Sequence, residues 1–321
     1  MSKKSQNSAK TLRYKEPKVP WKKDLKRNGT LYLIFIPVAI YYLVLHYAPM
    51  VGICIAFQDF KIGKGIFGSK WVGFQNFIDL FTGETFPLVI RNTVAMALLN
   101  LTLGFVAPII LALIISEVPW KGYRRAVQTI SYTPNFIAPV IVAALVREFL
   151  GVNGAITQLL SLFGLPKQNW LANPHIPVFW LINCFTDIWQ GAGFGTIVYI
   201  AAIGNVSKDL FEAAAIDGAN RWNRLTRITI PSIRPLILIL LTLRVGLVFV
   251  TGFDKILLLY MPSTYCVADV LTTYTYRMAF GSGGGNYGLS AASGLFQSVV
   301  GTTLLMVSNW LNRKTTRNAL F

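Results

Sequence analysis

The chain has 321 residues, 54% of them hydrophobic and 13% charged, with a formal net charge of +17 and a mean hydropathy of +0.51. Soluble domains carry about a quarter charged residues, so these proportions argue against a water-soluble fold. They also argue against a nucleic-acid footprint, since a basic patch needs a soluble face to occupy.

A basic tail, residues 1–29, opens the chain with ten lysines and arginines from Lys3 to Arg27. It is long for a signal peptide, and the apolar run behind it has no small-residue cleavage site, so that run is expected to stay as a membrane anchor. About 20 apolar residues cross the roughly 30 Å of hydrocarbon as a helix. That length predicts six spans: Thr30–Ala56, Leu88–Ser116, Ala126–Leu150, Pro177–Gly204, Pro231–Tyr260 and Leu289–Leu311. The expected fold class is all-α integral membrane, with residues 30–312 as one six-helix domain and 313–321 as a second basic tail.

Glu117–Arg125 and Asn205–Ile230 are basic connections, and with the two tails they place 20 of the 30 lysines and arginines on one side. The positive-inside rule makes that side cytoplasmic, with both termini inside. The outward segments, Phe57–Pro87, Gly151–Ile176 and Met261–Gly288, are rich in Gly, Asn, Pro and aromatics and hold the turn Ser282-Gly283-Gly284-Gly285-Asn286. Irregular backbone of that kind finds no partners in lipid, so an outer cap is expected. Tyr41, Tyr42, Trp71, Trp170 and Trp310 suit interfacial belts. Pro37, Pro108, Pro134 and Pro139 invite kinks, either as gating hinges or for packing. Cys54, Cys184 and Cys266 lack metal or redox spacing and read as apolar fillers. No metal site is expected. No catalytic constellation is visible either, since His46 and His175 lie in different segments without a nucleophile–base pair, and no internal repeat suggests a self-contained carrier.

The stretch from Ser207 to Pro231 reads as helix, turn, helix. Ser207 can cap the first helix, Asp209 sits in its positive first turn, and Gly218 can end it. Leu210 with Ala214, and Phe211 with Ala215, stand four residues apart. Trp222, Leu225 and Ile228 recur every three residues beside Arg221, Arg224 and Arg227. Pro231 is expected to open the fifth span at a tolerated first-turn position. An exposed helix as small as Glu212-Ala213-Ala214-Ala215 suits a groove on a partner, whereas the arginines equally suit anionic headgroups. Physics alone leaves both open.

Glu212-Ala213-Ala214, then Gly218, Ile228 and Ile230-Pro231, resembles the EAA loop of binding-protein-dependent ABC importer permeases, with Ile230 where the family usually has Leu. The resemblance implies a coupling helix seated in a cleft of an ATPase subunit, formed by Glu212, Ala213, Ala214, Asp217, Gly218, Arg221, Ile230 and Pro231. Held at both ends, it would pass nucleotide-driven closure to the spans as a rigid-body motion. Arg91-Asn92-Thr93, Gln128 to Pro134, Asp187-Ile188-Trp189-Gln190-Gly191, Val267-Ala268-Asp269-Val270 and Thr273 to Arg277 look like the sugar-transporting branch, most similar to complex-oligosaccharide permeases related to the maltose permeases. The implied role is the permease subunit of an ATP-driven importer in the bacterial cytoplasmic (inner) membrane, translocating an oligosaccharide or polysaccharide fragment. A non-sugar solute, or an ion-coupled carrier, is the alternative. Without a Gly-x-x-x-x-Gly-Lys-Ser/Thr loop the chain is not expected to be an enzyme or to bind a cofactor. ATP and Mg would sit in partners: two ATPase subunits, beside a second homologous permease, an extracytoplasmic solute-binding protein and membrane lipid, with no nucleic acid.

Ionisable groups within spans are costly and mark partners or watery paths. Asp187, Trp189, Gln190, Tyr199, Arg244, Phe253 and Asp254 are the candidate sugar path, because aromatic faces stack on sugar rings while carboxylates and amides bond hydroxyls. Arg244 would be the counter-charge for an acidic substrate. Arg147 and Glu148 are expected to pair. Gly191, Gly193 and Gly195 allow either backbone approach to ligand or close helix packing.

Overall fold

The computed structural model describes residues 20–250, 252–281 and 285–316. The tail as far as Pro17-Lys18-Val19, the turn residues Ser282-Gly283-Gly284, and Arg317 lie outside them. The chain divides into two units, residues 1–53 and 54–321.

In the first unit a short helix, α1 (Trp21–Arg27), leads into α2 (Gly29–Phe57), whose C-terminal end passes into the second unit. Asp24 joins the two helices, accepting from Asn28 Nδ2 at 2.7 Å and Tyr32 Oη at 2.6 Å. The α2 sequence is apolar on all sides, and Gly29–Cys54 holds no buried residue. A helix of that kind is suited to lipid rather than to one packed face.

The second unit holds the remaining long helices. They are α3 (Phe86–Ser116), α4 (Lys121–Tyr132), α5 (Pro139–Leu150), α6 (Val178–Gly204), α7 (Lys208–Ile216), α8 (Arg221–Gly246), α9 (Phe253–Leu259), α10 (Leu271–Phe280) and α11 (Tyr287–Thr316). The described strands are two residues each, Gln58–Asp59 (β1) and Lys70–Trp71 (β2), paired antiparallel with Gln58 opposite Trp71. Helices long and apolar enough to cross a membrane are Gly29–Phe57, Phe86–Ser116, Pro139–Leu162, Arg221–Gly246 and Tyr287–Lys314. The fourth expected span, Pro177–Gly204, forms as the unbroken 27-residue α6. It is long enough, but Asn183, Asp187, Gln190 and a run of glycines dilute its apolar character.

Two expected spans are broken. The third, expected over Ala126–Leu150, is α4, a tight turn at Thr133–Phe136, extended Ile137 and Ala138, and then α5. Pro139 pushes Ala138 out of the helical region (ψ 141°), as a proline does to the residue before it. The fifth, expected over Pro231–Tyr260, begins ten residues earlier, at Arg221, and stops at Gly246. The chain turns through Leu247–Val250 and restarts at Gly252, whose φ of +90° favours glycine, as α9. Pro231 stands in the first turn of the α-helical stretch Ile230–Gly246, as expected, while the helical run continues back through the wide turn to Arg221.

Wide, π-type turns explain how α2, α3 and α8 stay continuous. They occupy Leu43–Tyr47, Asn100–Gly104 and Leu225–Thr229. A proline ring clashes with the carbonyl four residues before it. For Pro49, Pro108 and Pro231 that residue is Leu45, Gly104 or Arg227, in each case inside a wide turn. The local widening accommodates the ring without ending the helix.

Close crossings hold the bundle. A Cβ on Gly193 would lie 1.8 Å from the Ser131 carbonyl oxygen, and one on Gly195 would lie 3.1 Å from the Pro108 ring. A Cβ on Gly301 would meet the Gly246 carbonyl at 2.9 Å. Small residues at such crossings let backbones approach where lipid supplies no hydrophobic drive between helices. The apolar core gathers instead around Leu171, Phe179, Ile256, Leu259 and Ala268, with a second cluster at Leu80, Phe86 and Leu271.

Candidate solute path and coupling helix

Ser207, Asn220 and Gly218 shape the loop between α6 and α8. The Ser207 hydroxyl accepts from the Asp209 amide at 3.3 Å and starts α7. At its other end Ala219 N–H donates to the Ala214 carbonyl at 2.8 Å and Gly218 N–H to Ala215 at 3.1 Å, with Gly218 at φ +74°. This is a Schellman closure, which satisfies the carbonyls a helix end leaves open. Asn220 Oδ1 then accepts from the Asn223 amide at 2.8 Å and caps α8. The short helix is thus fixed between two long ones. Glu212, Ala213, Asp217, Gly218 and Arg221 are exposed, Ala214 is half-buried, and Ile216 is 87% exposed. Ile230 and Pro231 sit beyond the wide turn, on α8 itself. They share that helix with Arg221 but lie more than two turns from it.

The candidate path residues divide among several places. Asp187, Tyr199 and Arg244 line one cavity of about 310 Å³, walled also by Asn100, Gly191 and Gly195. Asp187 is held on three sides. Lys255 forms an ion pair with Oδ1, while Asn100 and Asn183 donate to Oδ2 at 3.3 and 3.4 Å. Trp189 lies elsewhere, in an apolar pocket of about 530 Å³ with Leu145, Phe149 and Phe185. Gln190 donates to the Ile137 carbonyl at 3.0 Å, tying α6 to the break in the third span. Phe253 lines a third pocket and packs edge-on against Tyr276 at 5.5 Å. Asp254 is exposed. On a helix turning 3.6 residues per turn, Phe253 and Lys255 point about 200° apart. That divergence explains why Phe253 serves a different pocket from the Asp187 cluster.

Lys255 and Asn100 are the residues that sequence reasoning missed. Lys255 fell inside an expected span and met the rule that a charge there needs a partner. Asn100 is aimed by the wide turn Asn100–Gly104, and a Cβ on Gly104 would come within 2.9 Å of its Oδ1. The glycines separate by role. Gly193 serves the helix crossing, Gly191 has open space within 4 Å and lines the cavity, and Gly195 does both.

Other expectations are corrected. Arg147 does not pair with Glu148; its Nη2 donates to the Leu258 carbonyl. Among the described residues the ion pairs are Lys61–Asp59, Lys255–Asp187 and Arg277–Asp269. Cys184 is buried, but Cys266 is exposed and so is not a core filler. Its carbonyl accepts from Arg91 Nη2 at 2.6 Å and Asn92 Nδ2 at 3.2 Å, and Asn92, fully buried, also donates to the Asp269 carbonyl at 3.0 Å. Thr93 Oγ1 accepts from the Leu271 amide at 2.9 Å. The short patches at 91–93 and 267–270, far apart in sequence, therefore lock onto one another.

Asp269 anchors that knot from the segment between α9 and α10. Its side chain accepts from Thr273 Oγ1 at 2.7 Å and pairs with Arg277, whose guanidinium lies over the Tyr265 and Tyr274 rings at 5.0 and 5.6 Å. Burial pushes the Asp269 carboxyl above the ordinary carboxylate range, outweighing the downward pull of Thr273 and Arg277. Burial likewise raises the Tyr260 hydroxyl to about 12, reinforced by Tyr265 and Asp269.

Comparison with known proteins places these features in context. The family described as "Binding-protein-dependent transport system inner membrane component" matches residues 104–317. Protein LplB of Bacillus subtilis (strain 168) is 38% identical over 310 residues, 94% of each chain. The polygalacturonan/rhamnogalacturonan transport system permease protein YteP of the same organism is 40% identical over 285 residues, 88% of each chain. Among solved structures, a chain of a bacterial ABC transporter involved in the import of the acidic polysaccharide alginate is 42% identical, with a TM-score of 0.84, covering 92% of this chain and 99% of that one. A second structure holds that kind of transporter in complex with an alginate pentasaccharide-bound periplasmic protein, again at 42% identity and a TM-score of 0.84 over 93% and 99% of the two chains.

Proposed function

This chain belongs to the binding-protein-dependent transport system inner membrane components, and from that membership we propose that it is the sugar-translocating permease subunit of an ATP-driven importer of oligosaccharides or polysaccharide fragments. The observation that carries the ATP-driven part is α7: a short, exposed helix closed at both ends and rigidly joined to two long helices. Such a helix can enter a groove on a partner and transmit its rotation without bending. Glu212, Ala213, Ala214, Asp217, Gly218 and Arg221 form the docking face, and Ile230 and Pro231 carry the motion into α8.

The oligosaccharide part is supported by the transport roles named for YteP and for the alginate transporter, and by a cavity whose wall mixes carboxylate, guanidinium, phenol and amide groups. Asp187, Tyr199 and Arg244 form the path at this level. Trp189, Gln190, Phe253 and Asp254 lie outside that cavity and line the route at other levels. The chain itself carries no phosphate-cradling loop, so ATP and Mg belong to two ATPase subunits. A second permease and a solute-binding protein complete the assembly, the latter suggested by the periplasmic protein in the alginate complex. Both termini and α7 face the cytoplasm, on the charge distribution.

The test is uptake into vesicles carrying the full assembly. Oligosaccharide accumulation should require ATP, the ATPase subunits and the binding protein. Uptake driven by an ion gradient without nucleotide would replace this reading with the ion-coupled carrier, and ATP-dependent import of a non-sugar solute alone would remove the sugar.

A further inference from the structure

The apolar run of α2 ends at Phe57, and the first charged residue beyond Arg27 is Asp59, at the start of the β1–β2 hairpin. A charge that follows a membrane-length run lies at the level of the headgroups. The hairpin is braced for that position. Gln58 and Asn76, both buried, hold it from beneath: Gln58 Nε2 donates to the Ile66 carbonyl at 3.0 Å, and Asn76 Nδ2 donates to the Ala56 and Gln58 carbonyls at 3.0 Å each. Ser69 Oγ closes the loop, donating to the Gly65 carbonyl at 2.7 Å and accepting from the Lys61 amide at 3.1 Å. Set in this frame, Phe67 is 97% exposed and Ile62 is 70% exposed. Trp71 and Phe74 are exposed as well, the first stacked on Phe57 at 5.8 Å and the second edge-on to it at 5.4 Å. Lys64 and Lys70 stand three residues to either side of Phe67, and both are exposed, as is Lys61, whose ion pair with Asp59 is long at 3.7 Å. The segments expected to face outward carry five lysines and arginines, Lys61, Lys64, Lys70, Lys167 and Arg277, and three of them are in this hairpin.

We propose that this hairpin is a lipid-binding foot on the leaflet facing away from the basic tail. Phe67 and Ile62 enter the boundary between headgroups and acyl chains, and Lys61, Lys64 and Lys70 meet the phosphates of anionic phospholipids. Aromatic and aliphatic side chains set among lysines are the composition of elements that lie in the interface plane. Lysine stems run along apolar surface while their ammonium heads reach the phosphate layer. A protein partner fits less well, because protein interfaces are depleted in lysine. A positive cluster on the side that topology keeps poor in lysine also needs an anionic counterpart. The hold passes into the bundle. Phe60 packs edge-on against Tyr287 at 5.8 Å, and a Cβ on Gly288 would lie 2.7 Å from both Asn76 Nδ2 and the Gln58 carbonyl oxygen. A foot fixed among headgroups therefore fixes the start of α11, whatever solute the chain carries.

The test is tryptophan emission from Phe67→Trp in the full assembly, reconstituted in bilayers of equal parts phosphatidylglycerol and phosphatidylcholine. One of the two lipids at a time carries bromine near the top of its acyl chains, where it quenches only what enters the boundary. The signal of the added indole is the difference from the unaltered assembly in the same bilayer, which removes the eight native tryptophans of this chain and those of its partners. That difference should be quenched by both brominated lipids and little by iodide in the water phase. Brominated phosphatidylglycerol should be preferred at the site by at least about 5-fold, which is what one lysine beside an anionic surface supplies. Lys61→Gln, Lys64→Gln and Lys70→Gln together, in the Phe67→Trp background, should bring that preference within about 2-fold. All four positions are exposed, where substitution leaves the fold in place, so misfolding does not imitate the result. An added indole that iodide quenches and neither brominated lipid reaches would overturn the proposal. So would one that brominated lipid never reaches and that is shielded from iodide only once the solute-binding protein is added, which would make the hairpin a protein dock. Equal quenching by the two lipids with the lysines in place, or a preference that survives their removal, would overturn it as well.

Discussion

Gly193→Ala is the sharpest probe of how the cavity wall is held. A Cβ at that position would lie 1.8 Å from the Ser131 carbonyl oxygen and 2.3 Å from its carbon, whereas ordinary contact begins at 3.4 Å. The backbones of α4 and α6 must then separate by about 1.6 Å (3.4 minus 1.8). The clash is with backbone, which cannot rotate away as a side chain can. Overpacking costs typically 1–3 kcal/mol and more where backbone shifts, while replacing glycine by alanine in a helix returns about 1 kcal/mol. A net loss of about 2 kcal/mol follows, or about 3 °C in melting temperature at about 2.1 cal/mol/K of unfolding entropy per residue. Gly191→Ala is the matched control. It lies two residues away on the same helix, has nothing within 4 Å, and faces the cavity. It should melt no lower than the unaltered chain yet reduce uptake, because its methyl enters the solute space. Thermal unfolding of the solubilised assembly, followed beside vesicle uptake, separates the two. If Gly193→Ala melts with Gly191→Ala, the close crossing does not hold the bundle and the reasoning fails.

The coupling loop gives a second prediction. Glu212→Lys should abolish ATP-dependent uptake while leaving the melting temperature within a degree or two, since the side chain is exposed and surface changes shift stability by under about 0.5 kcal/mol; normal transport in this variant would refute the docking role. Gly218→Asp adds a left-handed strain of about 1–2 kcal/mol at an exposed turn, and it should uncouple ATP hydrolysis from uptake. Asn92→Ala removes a fully buried amide that bridges two carbonyls of the outer segment, so a loss of about 2–3 kcal/mol is expected, and proteolysis within 261–281 should quicken. An unchanged digestion rate would place the knot elsewhere. Asp269 supplies the pH dependence. Its carboxyl is raised by burial, so the stability it contributes is complete below the unfolded value of about 4 and is lost as pH rises through the folded value. Asp269→Asn, neutral at every pH, should flatten that acid-side slope. A slope that survives the substitution belongs to another group.

The primary structure by itself determined the features that depend on local chemistry and on the bilayer. Runs of apolar residues marked where membrane-length helices form, five of them apolar enough to cross a membrane, because a helix of about 20 residues is the cheapest way to satisfy backbone groups in hydrocarbon. Ser207, Asp209 and Gly218 fixed the start and stop of α7, since capping involves only neighbours in the chain. Contacts between segments followed a different logic. Lys255 and Asp187 are 68 positions apart, and nothing in either neighbourhood indicates that a restart at Gly252 will turn the lysine toward α6. The breaks at Thr133–Ala138 and after Gly246 divided two expected spans, and the wide turns before Pro108 and Pro231 kept two helices whole. Each depends on which carbonyls and side chains stand opposite. The partition of Asp187, Tyr199 and Arg244 into one cavity, and of Trp189, Gln190, Phe253 and Asp254 outside it, was decided by helix rotation and close crossings at Gly193 and Gly195. Rotation about a helix axis is set by packing partners, and those exist only once the chain has folded.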